Sequence, residues 1–121
     1  MPKQILIVEN SEAYRSLLQD IVAGMGLGSL AVDSATKAVE ALSGEAFDLV
    51  LLDIKMPNIH GDLFLRYIRR KGNRVPVIVI SGYLTPDVLQ SVQRHAVHDV
   101  VAKPFKVQRV TQAIAEVLGG D

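Results

Sequence analysis

Hydrophobic positions along this chain follow two alternating rhythms. Unbroken apolar runs at Ile5-Leu6-Ile7-Val8, Leu49-Val50-Leu51-Leu52 and Val77-Ile78-Val79-Ile80 predict strands covered on both faces, since a strand with one wet face would alternate apolar and polar residues. Two weaker runs, Leu30-Ala31-Val32 and Val100-Val101-Ala102, predict less buried strands. Between the runs the spacing changes to i, i+3, i+4, i+7, the period of a helix with one apolar face. Tyr14, Leu17, Leu18, Ile21, Val22 and Met25 fit it, as do Ala35, Ala38, Val39 and Leu42. Phe64, Tyr67 and Ile68 mark a third helix, Val88, Leu89 and Val92 a fourth, and Val107, Val110, Ile114, Val117 and Leu118 a fifth. Thr85 and Pro86 give the fourth an N-cap and a first residue whose φ is already helical.

Five strands alternating with five helices in 121 residues, about 24 residues per unit, predict an α/β fold with an open parallel sheet and helices on both faces. No linker, repeat or low-complexity stretch interrupts the alternation, so residues 1–121 are expected to form one domain. Gly24, Gly26 and Gly28 follow a helix and precede a strand, the reverse of a dinucleotide fingerprint, and read as a connecting loop.

Composition narrows the chemistry. The chain is 49% apolar and has no cysteine, which excludes disorder, thiolate metal sites, a catalytic thiol and a disulfide framework. No apolar run exceeds five residues, against the roughly 18 that a membrane span needs, and a cytoplasmic protein without membrane contact is the expectation. The net charge of zero is a cancellation: residues 1–60 hold 4 basic and 8 acidic side chains, residues 61–121 hold 9 and 5. A neutral domain with an acidic half is not expected to bind nucleic acid directly.

In an open α/β sheet, ligands meet the protein outside the carboxyl ends of the strands. Here the first strand leads into Glu9-Asn10, the third into Asp53, the fourth into Ser81 and the fifth, through Ala102, into Lys103. If these strands are neighbours, two carboxylates, an amide, a hydroxyl and an ammonium converge on one patch. Four such endings, with one Lys facing the acids, point to a site.

With these residues the sequence resembles the receiver domain of two-component response regulators, and the resemblance covers nearly all of the chain. Its most specific element is Asp53-Ile54-Lys55-Met56-Pro57-Asn58-Ile59-His60-Gly61, which fits D-x-x-M-P-x-x-x-G after a hydrophobic strand. Ser81-Gly82 and Lys103-Pro104-Phe105 complete it. The resemblance implies a flavodoxin-like strand order, 2-1-3-4-5, and a signalling domain rather than an enzyme. It further implies transfer of a phosphoryl group to Asp53 from a phosphohistidine on a histidine kinase or histidine phosphotransfer protein. Positioning and charge compensation are what such a transfer needs. Lys103 is implied to give a phosphoryl oxygen a fixed positive charge, and Ser81 to donate a hydrogen bond to another. A Mg2+ ion is implied to sit among Glu9, Asn10, Asp53 and the backbone carbonyl of Lys55, a set of hard oxygen donors.

Three departures from the family pattern bear on switching. Asn10 stands where a second acid is usual, so Glu9, Asn10, Asp53 and Lys103 sum to −1 rather than −2, and weaker metal binding is expected. Val100, three residues before Lys103, replaces an aromatic whose rotation usually reports phosphorylation, so output is expected through residues 81–85 or the helix after them. Ala96 replaces a usual glycine, so the preceding helix is expected to end differently.

Other clusters carry less. Arg66, Arg69, Arg70, Lys71 and Arg74 read as a solvated, basic helix end, and His95 with His98 lacks a third metal ligand. Three alternatives compete with the receiver. A pseudo-receiver, a phosphorylation-independent interaction module, is suggested by Asn10 and Val100, but Asp53, Ser81 and Lys103 argue against it. A haloacid-dehalogenase-type enzyme would need a carboxylic acid where Lys55 stands, and a flavin phosphate would be repelled by Glu9.

Overall fold

The computed structural model describes residues 2–55 and 61–119. Among the described residues strands and helices alternate: β1 (Gln4–Val8), α1 (Glu12–Gly24), β2 (Gly28–Val32), α2 (Ala35–Gly44), β3 (Leu49–Leu52), α3 (Gly61–Arg70), β4 (Val77–Ser81), α4 (Pro86–Gln93), β5 (Asp99–Ala102) and α5 (Val107–Val117). All strand pairs are parallel, in the order β2-β1-β3-β4-β5. The α/β architecture and the order 2-1-3-4-5 are as expected.

The unbroken apolar runs follow from burial on two sides. Leu6, Val8, Val50, Leu52, Val77 and Val79 face α2, α3 and α4, where they meet Ala38, Phe64, Leu65, Ile68 and Val92. Ile5, Ile7, Leu49, Leu51, Ile78 and Ile80 face the opposite way, toward Leu18, Ile21 and Val22 of α1 and Val110, Ala113 and Ile114 of α5. Each such aliphatic side chain contributes about 1.5–3 kcal/mol by leaving water. The edge strands β2 and β5 are less buried, as their weaker runs foretold.

Hydroxyl caps set the helix starts. Ser11, Ser34 and Thr85 accept hydrogen bonds from the amides of Tyr14, Lys37 and Val88, and Pro86 opens α4. At the end of α1, Gly26 takes φ +77 while the Leu27 amide reaches back to the Val22 carbonyl; of the three glycines only Gly26 lies in the connection, for Gly24 closes α1 and Gly28 opens β2.

Several expectations need correction. Tyr67, Leu17 and Val107 fit the helical period but lie 46%, 37% and 50% exposed, on the borders of their apolar stripes. Ala96 does not abolish the left-handed turn after α4; it adopts it, at φ 58. Arg69 is not a solvated charge like its exposed neighbours Arg66, Arg70 and Lys71. Its guanidinium donates to the carbonyls of His95 at 2.9 Å, Asn73 at 3.0 Å and Val75 at 2.8 Å, tying the end of α3 to the turn before β5.

Candidate functional site

Parallel pairing fixes where the polar residues meet. Beyond the last paired residues Val8 and Leu52, the Asp53 amide donates to the Val8 carbonyl at 2.9 Å, which sets Glu9 and Asp53 side by side. Ser81 pairs with Ala102, and the Lys103 amide donates to the Ser81 carbonyl at 3.0 Å. The carboxyl ends of β1, β3, β4 and β5 therefore deliver one carboxylate, a second, a hydroxyl and an ammonium to a single cleft of about 740 Å³.

Glu9, Asp53 and Ser81 are buried, at 1%, 6% and 0% exposure. Groups so desolvated must be bonded, and every carboxylate oxygen here is. Lys103 Nζ donates to Glu9 Oε1 at 2.5 Å and to Asp53 Oδ2 at 3.1 Å. The Ser11 amide donates to Glu9 Oε2 at 2.9 Å, and the Lys55 amide to Asp53 Oδ1 at 3.2 Å. Ser81 Oγ accepts from the Tyr83 amide at 3.1 Å, which leaves its proton free to donate into the cleft among the described residues.

Burial pushes the Glu9 carboxyl up from its ordinary value, aided by the neighbouring Asp53 charge, although the Lys103 and Ser11 hydrogen bonds oppose the rise. Burial alone would lower the Lys103 ammonium, but its hydrogen bonds and charge pairing with Glu9 and Asp53 outweigh this and hold it above its ordinary value. Lys103 is a stable cation in the cleft.

Asn10 and Lys55 line the same cleft, both exposed. Two carboxylates sharing one ammonium leave a charge of −1, so the set of hard oxygens fits a small divalent cation that would relieve it. Asn10 makes the set poor in charge: among the described residues no three His, Cys, Asp or Glu side chains cluster as metal ligands, and His95 with His98 makes no such group. Gly61, the last residue of the D-x-x-M-P-x-x-x-G pattern, packs where a Cβ would come within 2.8 Å of the Ile54 backbone, which explains the glycine. Met56-Pro57-Asn58-Ile59-His60 lie outside the described residues.

Sequence reasoning missed two residues of the site. Arg15 clamps the loop after β1 by donating to the carbonyls of Glu9 at 2.9 Å and Asn10 at 3.0 Å. The Tyr14 ring lies 4.1 Å from Lys103 Nζ, centroid to nitrogen. Helical spacing made Tyr14 a core position, and its place in the first turn after the acidic loop was the available signal.

The response regulator receiver domain model matches residues 5–115. The regulator of RpoS from Escherichia coli K12 is 38% identical over 104 residues, covering 86% of this chain and 31% of that protein. The chain thus spans about a third of the length of this curated relative. A CheY-like receiver domain protein from Methanospirillum hungatei superimposes with a TM-score of 0.94 at 22% identity, covering 99% of this chain and 96% of the other. The receiver domain of a Pseudomonas aeruginosa sensor histidine kinase, solved with a magnesium ion in its active site cleft, superimposes with a TM-score of 0.88 at 23% identity over 98% of this chain and 99% of the other. Among the described residues no helix is long and apolar enough to cross a membrane. With the family model spanning the sheet from β1 into α5, the chain belongs to the response regulator receiver domains of two-component systems.

Proposed function

We propose that the chain accepts a phosphoryl group on Asp53 from the phosphohistidine of a histidine kinase or histidine phosphotransfer protein. The observation that carries this reading is the Lys103 ammonium, held 3.1 Å from the buried Asp53 in a cleft that Ser81 also lines. An Asp53 oxygen attacks phosphorus, the P–O bond forms, and the P–N bond breaks with its electron pair leaving on the imidazole nitrogen. Asp53 reaches the donor from the end of a rigid central strand, and the Lys55 amide on Oδ1 fixes its rotamer. Lys103 supplies charge to one phosphoryl oxygen and the Ser81 hydroxyl a hydrogen bond to another. Glu9, Asp53, Asn10 and the Lys55 carbonyl would hold Mg2+, which when bound lends positive charge to a transferring phosphoryl oxygen. A cytoplasmic site of action accords with such a donor.

A phosphorylation-independent interaction module finds no support in this cleft, since Asp53, Ser81 and Lys103 are all in place. Intact mass after incubation with acetyl phosphate and Mg2+ tests the reading. The expected gain is one phosphoryl group in the wild type and none in Asp53→Asn; equal gain in both would overturn it.

A further inference from the structure

A lysine ammonium has three N–H donors, and in the cleft all three sides of Lys103 are occupied. One faces Glu9 Oε1 at 2.5 Å, one Asp53 Oδ2 at 3.1 Å, and the ring of Tyr14 covers the remainder at 4.1 Å. The ring is itself held in place. Phe105 packs against it with centroids 5.8 Å apart at 50°. The Tyr14 backbone amide donates to the Ser11 cap at 3.3 Å, and the next residue, Arg15, is bonded to the loop carrying Glu9 and Asn10.

We propose that Tyr14 is a positioning residue for phosphoryl acceptance, its ring face holding the Lys103 ammonium beside Asp53 and screening it from water; this rests on the phosphoacceptor reading of Asp53. The physical need is plain. Lysine is a strongly hydrated point charge on a flexible stem, and a bare ammonium would be drawn outward into the open side of the cleft. An aromatic face attracts the cation without competing for its role, because it offers no oxygen that must be displaced when a phosphoryl oxygen arrives. The carboxylates of Glu9 and Asp53 take two sides of the ammonium, and the Tyr14 ring covers the side they leave.

The test compares Tyr14→Phe, which keeps the ring face, with Tyr14→Leu, which keeps apolar bulk against Phe105 but has no π-face. In metal-free protein, the Lys103 Hε protons are expected upfield by ring current in wild type and Tyr14→Phe, and at ordinary shift in Tyr14→Leu. With acetyl phosphate and Mg2+, Tyr14→Leu is expected to phosphorylate about tenfold more slowly, the scale of one desolvated cation–π contact, and Tyr14→Phe within about twofold of wild type. Melting temperatures of the two variants check that packing is kept. A wild-type rate in Tyr14→Leu, a Tyr14→Phe as slow as Tyr14→Leu, or Lys103 protons unmoved by either change would overturn the inference. A wild type that takes no phosphoryl group removes the phosphoacceptor reading and this role with it, whereas an unchanged Tyr14→Leu rate beside normal wild-type phosphorylation removes this inference alone.

Discussion

Lys103 lies closer to Glu9, at 2.5 Å, than to Asp53, at 3.1 Å. The cation is therefore spent chiefly on the carboxylate next to Asn10, and the cleft keeps a charge of only −1 for a divalent ion. Asn10→Asp restores −2. Opposite unit charges about 4 Å apart attract by roughly 4 kcal/mol at an effective dielectric near 20, less the added carboxylate's desolvation and its repulsion by Glu9 and Asp53. A net of about 1.4–2.8 kcal/mol remains, so Mg2+ is expected to bind one to two decades more tightly. Titrating Mg2+ against both proteins at one ionic strength decides it, and equal affinities would show the assigned pocket to be wrong.

Much of this was legible in the chain, for reasons that differ by residue. Leu49-Val50-Leu51-Leu52 could be read because a strand covered on both faces has no polar positions to confuse the pattern. Asp53, Ser81 and Lys103 could be read because a strand's carboxyl end puts its next residue in a known place. Arg69 could not: its partner His95 lies 26 residues away, and no local spacing encodes a bond to a distant carbonyl. Tyr67 and Leu17 misled because a period of 3.6 accepts residues at the border of a stripe as readily as at its centre.

Turnover of the phosphoryl group should be slow. Lys55 Nζ lies 5.4 Å from the Tyr83 ring centroid, and both side chains line the cleft. With Asp53 as the proposed phosphoacceptor, this pair stands over one side of the cleft through which water would approach phosphorus. Replacing both with alanine is expected to speed loss of the phosphoryl group about tenfold, equivalent to about 1.4 kcal/mol in barrier. A phosphorylated double variant that decays at the wild-type rate would remove the gate.

Acid should loosen α5 through a single ion pair. Arg109 donates to Asp99 Oδ2 at 2.9 Å and Oδ1 at 3.0 Å, and also to the Val100 carbonyl at 3.2 Å. The Arg109 hydrogen bond holds the Asp99 carboxyl below its ordinary 3.8, against the opposing effect of burial. A carboxyl depressed in the folded state stabilises the fold above its unfolded pKa and ceases to as pH falls through the folded value. Stability is therefore expected to drop below about pH 4, and Asp99→Asn to be less stable by about 1 kcal/mol at pH 7 but to flatten that acid limb. Denaturant midpoints at pH 7 and pH 3 measure it; equal acid limbs would refute the assignment.

The turn between α4 and β5 stores strain that one atom change should release. Ala96 has φ 58, a left-handed conformation that costs an L-residue with a Cβ roughly 1–2 kcal/mol. It persists because its surroundings hold it: Arg69 donates to the flanking His95 carbonyl at 2.9 Å, with a longer contact to the Ala96 carbonyl at 3.5 Å. Ala96 is exposed, so its methyl group loses little packing when removed. Glycine relieves the strain but frees the unfolded chain, which returns about 0.4–1 kcal/mol. Ala96→Gly is thus expected to stabilise the fold by about 0.5–1 kcal/mol and leave Asp53 phosphorylation unchanged. Arg69→Met, which removes the donor to the part-buried carbonyls of His95, Asn73 and Val75, is expected to destabilise by about 2 kcal/mol, and Ala96→Gly should recover part of that loss. Urea unfolding of the two single variants and the double supplies the comparison. An Ala96→Gly protein no more stable than wild type would mean that the turn relaxes in solution and that Arg69 holds nothing strained.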